Sequence, residues 1–587
     1  MLRKRSLWSV AGLLVVLTMM LSALSACGGT TTGGSGGTPV KGGTVIDGIS
    51  QEPNALLPER SNQTYSLLVQ AAFRTPLFAS NDKAGISPAL ATEVPTLANG
   101  GISSDGLTYK IHVRTGTKWS DGQPVTGDDV FYTFKLFMDP AYSARDGFQQ
   151  AASEISTISQ PDSNTITFTL KKPDAAFIAL YLTDVLAFAP LPKHVYGTMT
   201  PDALVKSNES FQPTVTNGPF KVSGRVQGDN ITVVRDDNYV GAHTAYLDKI
   251  VFKVFADAQT IVTAMQAGQV DTAYFLPVSQ YDTLKNIPGY SLVPSTVLAT
   301  FEAWYLNING FQLEGKPATD EPLSDPVVRE ALAISFDTKQ EIHTLWHDIA
   351  KPVCDESIGT FGFDPQLVNS NGYCAYGPDG KSFDNGGPDA AKAMLDADGW
   401  KVGSDGIRVK NGHRLSLRIA TTSGRKYRED SEALAQAAWK NIGVELKTDN
   451  HPSGDLFGPI LFPSTGKGNT AFDIAEYATG VGVYPDNRCF FNSKFTPQAA
   501  GCNPGYYSNP TVDQLTEQAV TISDQAQAKA ILTQIHQAAN KDVPIIWLYG
   551  FPNLNEANSR LHNYKPSGEG PDETWNVVDW WLTGGKR

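Results

Sequence analysis

Cysteine is scarce: the 587 residues contain five, and no two of them form a C-x-x-C pair. That excludes a disulfide-dense miniature fold and the usual spacing of a zinc ribbon. Positive charge is also in deficit, with Lys+Arg 47 against Asp+Glu 60 and a net charge of -13. A surface of that sign repels phosphate backbones, so no nucleic-acid partner is expected. Only one long apolar run exists, near the N-terminus, which argues against a polytopic membrane protein. Repeats of solenoid length are missing. So are H-E-x-x-H, a cysteine–histidine pair in a recognisable context, and a serine at a strand-to-helix elbow. No catalytic residue, metal site or cofactor is therefore assigned. A secreted hydrolase remains the competing class, because paired carboxylates meet only in the fold. Glycine and proline are plentiful, 53 and 36 residues, which indicates many turns and no coiled coil. With 41% hydrophobic and 18% charged residues the chain can fill several cores.

The N-terminus reads as an address. Arg3, Lys4 and Arg5 precede an apolar stretch from Leu7 to about Leu21. Leu24-Ser25-Ala26-Cys27 then places small residues before a cysteine and resembles a bacterial lipobox. Residues 1–26 are expected to be a signal peptide, with Cys27 carrying the lipid that anchors the chain to the extracytoplasmic side of the cell membrane. Residues 27–42, rich in Gly, Thr and Ser, cannot bury a core and read as a flexible tether. The other four cysteines follow an export signal, which suggests disulfides; of the three pairings, Cys354–Cys374 and Cys489–Cys502 close the shortest loops. Each closure is expected to contribute about 3 kcal/mol.

Strand and helix patterns alternate along the chain. Leu107, Tyr109, Ile111 and Val113 alternate with polar residues, as do Ile166, Phe168 and Leu170 with threonines, the period of half-buried strands. Thr126 and Asp129 form a capping box before a helix whose Val130, Phe131, Phe134 and Phe137 face a core. Asp325-Pro326 caps a second helix. Ala390 to Asp398 ends at Gly399, and Glu429 to Asn441, with Leu434, Ala438 and Ile442 on its apolar face, ends at Gly443. The chain is α/β.

Several motifs then occur in one order. Asp105-Gly106-Leu107-Thr108-Tyr109 leads through Arg114 to Gly116-Thr117-Lys118-Trp119-Ser120-Asp121-Gly122-Gln123-Pro124-Val125-Thr126 and Asp128-Asp129-Val130. Thr216 to Lys221, Tyr246 to Ile250, Gly268 to Asp271, the stretch from Leu323 to Asp337, Ala391 to Trp400, Tyr507 to Leu515 and Val543-Pro544 follow. The run, from about 43 to 550, resembles the family 5 extracellular solute-binding proteins, which serve ABC importers for peptides, nickel and some oligosaccharides. Most of these residues read as turns and scaffold.

The resemblance implies a periplasmic-binding-protein-like two-lobed α/β fold of the class II type, with a third region and mixed sheets joined by a hinge. Lobe one would take 43–88, 213–303 and 545–587, an accessory domain 89–212, and lobe two 304–544. The expected function is capture of a peptide or similar small solute between the lobes and delivery to an ABC permease, by a monomer that performs no reaction. An oligosaccharide or nickel complex is the alternative.

The resemblance also implies site residues. Peptide-binding members place an acidic residue before a Pro-Asp turn, and the register here puts Val481 there. A valine cannot pair with an ammonium. Asp486 belongs to the turn, and Arg425 is the candidate to fork onto a carboxylate. Trp304, Tyr477, Trp547 and Tyr549 are aromatic candidates for the cleft, and the stretch from Ser50 to Asn54 is expected on the rim of lobe one. His343 and His347, four apart on a helix, read mainly as a solvated face.

Overall fold

The computed structural model describes residues 38–57, 63–83, 85–142, 154–184, 188–308, 322–377, 379–462, 472–480, 482–497, 501–568 and 572–584. Cys27, the signal segment, most of the tether and Val481 lie outside the described residues. Among the described residues no helix is long and apolar enough to cross a membrane.

Three sheets organise the chain from Lys41 onward. The first has seven strands in the order Tyr290–Leu292, Glu556–Asn558, Thr272–Ala273, Thr44–Ile49, Lys249–Val254, Asn230–Arg235 and Phe220–Val226. Thr44–Ile49 runs parallel to both its neighbours, with Val45 opposite Ile250 and Gly48 opposite Ala273. The second has six strands in the order Lys351–Pro352, Ile545–Phe551, Thr300–Leu306, Ile474–Thr479, Ser416–Ala420 and Glu445–Thr448, the last three mutually parallel. The third pairs Thr108–His112, Thr165–Leu170 and Ile155–Asp162 antiparallel.

Local chemistry explains these elements. The helix Gly127–Phe137 starts where the Thr126 N–H donates to Asp129 Oδ2 at 3.0 Å, half of the capping box. Its Phe134 stacks on Phe188 with centroids 4.4 Å apart and meets Phe168 edge-on at 4.7 Å, so the aromatic stripe is core of the third sheet's domain. The helix Pro326–Ser335 begins at Asp325, whose Oδ1 accepts from Val327 N–H at 3.0 Å; its Oδ2 accepts from Trp400 Nε1–H at 3.2 Å and from Lys410 at 2.9 Å. Two of the recurrent motifs thus lock each other in place. Asn217 does the same for two stretches distant in sequence: its amide exchanges two 3.0 Å bonds with the Thr75 backbone, and Gly218 lies where a Cβ would come within 2.3 Å of Phe73 carbon.

The expected disulfides are both present, Cys354–Cys374 with Cα atoms 5.3 Å apart and Cys489–Cys502 with 4.8 Å. Two boundaries differ from the sequence-based division: Thr300–Ala303, expected in lobe one, belong to the strand Thr300–Leu306 of the second sheet, and so does a later strand. Ile545–Phe551 was placed with lobe one, but it hydrogen-bonds between Thr300–Leu306 and Lys351–Pro352 in the second sheet. An all-apolar run buried on both faces carries no periodicity to say which sheet claims it.

Candidate functional site

Two stretches of chain pass between the first and second sheets, 293–299 and 552–555. They pair: Val293 N–H donates to Asn555 O at 2.8 Å and Ser295 N–H to Asn553 O at 3.2 Å. The Asn555 side chain is buried and accepts from Phe275 N–H at 3.2 Å while donating to Val293 O at 3.3 Å. A third stretch backs the crossing, where Thr296 and Val297 donate to Pro566 O and Ser567 O at 3.1 and 2.8 Å.

Both sheets aim the carboxyl ends of their parallel strands at this crossing. In the first, Thr44–Ile49 ends at Ser50, and Thr272–Ala273 runs on to Phe275, bonded to Asn555. In the second, Ile474–Thr479 ends at Gly480, packed so closely on the crossing that a Cβ would come within 2.2 Å of Ala299 O. Open α/β sheets bind ligands outside the carboxyl ends of their strands.

The first-lobe wall is hydroxyl-rich. Ser50 Oγ lies 2.8 Å from Tyr65 OH, Tyr65 meets Tyr274 edge-on at 6.2 Å, and Asn553 Nδ2–H donates to Tyr274 OH at 3.0 Å. Burial raises the Tyr65 phenol, opposed by its bond to Ser50. Phe275 holds a left-handed backbone, φ 58°, and remains 44% exposed beside these groups. Asn54 is exposed, its Oδ1 accepting from Ser66 Oγ–H at 3.1 Å.

The second-lobe wall is acidic and buried. Glu302 accepts a two-pronged bond from Arg428, Nε to Oε1 at 3.0 Å and Nη2 to Oε2 at 3.1 Å, and a third from Tyr427 OH at 3.2 Å. Arg428 Nη1–H donates to Thr422 Oγ1 at 2.7 Å. Glu341, Glu432 and Glu476 surround this pair, all buried, and neither Glu476 oxygen has a hydrogen-bond partner. Burial pushes Glu341 up to about 8, with Glu302 adding, and Glu432 up to about 7. Burial first, then the neighbouring Glu302 and Glu341, hold Glu476 well above the carboxylate range. Low-dielectric surroundings disfavour several ionised carboxylates against one guanidinium, which pushes the surplus groups toward the neutral, protonated form.

The structure gathers only some of the sequence-derived candidates. Ser50 stands at the first-lobe wall, and Tyr549, opposite Glu302 in the sheet, joins the acidic cluster. Arg425 caps the helix Lys426–Asn441 with its side chain exposed; burial raises Glu302, Arg428 most and Arg425 least oppose that rise, and Arg428, one turn further on, makes the buried bond. The remaining aromatic expectations are corrected by packing. Trp304 is enclosed edge-on by Phe336 at 4.6 Å and Trp439 at 5.0 Å. Tyr477 stacks on Tyr305 at 4.1 Å, on the sheet face away from Glu476, and Trp547 is buried against Phe301 with its Nε1–H donated to Asn540 at 3.0 Å. Asp486 is taken by Arg488 in a two-pronged pair and offers nothing to the crossing. His343 pairs with Asp348 at 2.9 Å while His347 stacks on Tyr281 at 4.6 Å, so the two rings do not converge. Sequence reasoning missed Glu302, Glu476, Arg428, Tyr65, Tyr274 and Asn555. The available signal was the pair of ionisable residues, Glu302 and Glu476, inside otherwise apolar strands.

Two lobes, a paired crossing and strand ends facing it match one family. The model of the bacterial extracellular solute-binding proteins, family 5, matches residues 85–502. The chain belongs to that family. Family 5 relatives extend over the full length. The oligopeptide-binding protein AppA of Bacillus subtilis strain 168 is 27% identical over 600 residues, 99% of this chain and 100% of that protein. Protein XP55 of Streptomyces lividans is 25% identical over 541 residues, 88% of this chain and 86% of that protein. Among solved structures, AppA from Bacillus subtilis in complex with a nonapeptide has a TM-score of 0.69 at 24% identity, covering 93% of this chain and 100% of that one. NikZ from Campylobacter jejuni in complex with Ni(L-His) also has a TM-score of 0.69, at 22% identity, covering 92% and 99%. These likenesses show the fold of the periplasmic binding proteins with its mixed sheets.

Proposed function

We propose that this family 5 protein is the receptor of an ABC importer, held to the outer side of the cell membrane through Cys27, and that it captures a peptide between its lobes and passes it to the permease as a monomer without altering it. The observation that carries the reading is the convergence of both sets of strand ends on one paired crossing, the arrangement in which a bound solute stabilises the closed form through contacts to both lobes. The full-length relative named for oligopeptide binding supports the solute class. The walls are suited to such a solute: Ser50, Tyr65 and Tyr274 present hydroxyls, Phe275 an exposed ring, and Arg425 a free cation for a carboxylate.

Titration of the purified chain with di- to nonapeptides, and separately with oligosaccharides, tests this by thermal unfolding and calorimetry. Peptides are expected to raise the midpoint saturably, with about 2.7 kcal/mol gained at a hundredfold excess over Kd, and to be recovered intact. Stabilisation by oligosaccharides alone would replace the solute class, and product formation would make the protein a hydrolase. Palmitate labelling is expected to vanish in Cys27→Ala; retained label overturns the anchor.

A further inference from the structure

A second polar cluster lies in lobe two, apart from the crossing walls. The helix Gln525–Asp542 turns His536 inward, where it is 1% exposed. Its Nε2 sits 2.8 Å from Glu356 Oε1, and the Asn487 side-chain amide lies 2.9 Å from the same oxygen and 3.5 Å from the same nitrogen. These three atoms form a triangle with edges of 2.8, 2.9 and 3.5 Å. Donors held about 2.0–2.2 Å from one cation stand about 2.8–3.6 Å apart at octahedral or tetrahedral angles. Asn487 supplies the third corner through its oxygen once the amide is turned, an orientation that geometry alone does not distinguish from the other.

The surroundings supply donors to only some of the acids here: Asp355 accepts from the Ser357 and Asp364 N–H groups at 2.8 and 2.9 Å, and Asp364 Oδ1 from Gln366 N–H at 3.0 Å. Asp355, Glu356 and Asp364 are all buried beside a single imidazole, and Glu356 Oε2, Asp364 Oδ2, Asn487 Oδ1 and His536 Nδ1 have no hydrogen-bond partner. Unsatisfied buried groups cost about 1–3 kcal/mol each, and excess buried negative charge costs more. Asp355 Oδ2 faces the far ring nitrogen, Nδ1, at 3.9 Å, where a carboxylate orients a metal-ligating histidine. The potential donor atoms of Asp355, Glu356 and His536 all lie within 4.8 Å of one another.

We infer that Glu356, His536 and Asn487 form a structural site for a borderline divalent cation of the Zn2+ or Co2+ kind, with Asp355 behind the imidazole. An imidazole with oxygen donors selects that class over Mg2+ or Ca2+. The site joins three separate segments. Asp355 and Glu356 follow Cys354 of one disulfide, Asn487 precedes Cys489 of the other by two residues, and His536 belongs to the helix Gln525–Asp542, whose Asn540 side chain also donates to Cys354 O at 3.2 Å. Bound metal thus fastens a residue beside each disulfide to one helix, and its binding energy adds to folding stability.

The test uses the full chain stripped with EDTA and desalted. Zn2+ alone is expected to bind at one equivalent and raise the unfolding midpoint by several degrees, Mg2+ and Ca2+ to do neither, and Co2+ to give a visible absorption band. His536→Gln is expected to abolish the Zn2+ response and the Co2+ band, and His343→Gln to leave both unchanged. No saturable response in the parent chain, or an equal response in His536→Gln, overturns the site and leaves a buried His–Glu ion pair. If His536→Gln does not fold, Asn487→Asp decides: Zn2+ is expected to bind at least tenfold more tightly to it, and unchanged affinity overturns the site.

Discussion

Arg428 is 6% exposed, and its guanidinium donates three hydrogen bonds: two to Glu302 and one to Thr422. Its removal therefore does more than delete a contact. In Arg428→Leu the Glu302 carboxylate stays buried beside Glu341 and Glu476 with no counter-charge, an arrangement that costs about 3–5 kcal/mol. Urea unfolding is expected to show that loss, and the double variant Arg428→Leu, Glu302→Leu to recover most of it. A single variant as stable as its parent would mean that the two charges do not depend on each other.

At the scale of elements, the crossing segments depend on Asn555. Its side chain ties the turn at Phe275 to the segment at Val293, so Asn555→Ala frees one donor and one acceptor in a buried position. Unfolding is expected about 1–3 kcal/mol earlier. Hydrogen exchange is expected to accelerate first at the Phe275 and Val293 amides, and unchanged exchange there would rule out a role for Asn555 in holding the crossing. Elements also show where sequence was legible. The caps at Asp129 and Asp325, the glycines after two helices and both disulfide pairings follow short-range rules, and the structure repeats them. Gly399 and Gly443 indeed take left-handed backbones, φ 93° and 86°. The helix Lys426–Asn441 was legible in its end but not in its face. Leu434 and Ala438 pack at its margin, whereas Arg428, Ser431 and Glu432 join Ala435 and Trp439 in the buried stripe. Polarity predicts solvent only while no partner waits inside, and that partner, Glu302, lies 126 residues away. The site aromatics failed for the related reason that strand position does not tell which face the ring covers.

Over the whole molecule, buried acids set the response to pH. Glu341 and Glu556 are pushed up to about 8, Glu432 to about 7, and Asp174 and Asp184 to about 6, each mainly by burial. Their unfolded values lie near 4, so between about pH 4.5 and 8 the fold holds protons that the unfolded chain releases. The stability they lend is complete below the lower bound and disappears as pH climbs through the upper one. Asp384 and Glu445, lowered to about 2 by hydrogen bonds from Ser382 and Ser416, work the other way and lose their contribution only in stronger acid. The unfolding midpoint is expected to be higher at pH 5.5 than at pH 8, with Glu341→Gln reducing the slope. A midpoint rising with pH across that interval would mean these carboxyls are ionised in the fold.

The strand Glu556–Asn558 sits inside the first sheet, between Thr272–Ala273 and Tyr290–Leu292, and Ile545–Phe551 sits inside the second. Each half thus waits for residues synthesised last. A nascent chain stopped before them leaves an open seam in both sheets, so neither sheet can close ahead of the other until nearly all of the polypeptide has been made.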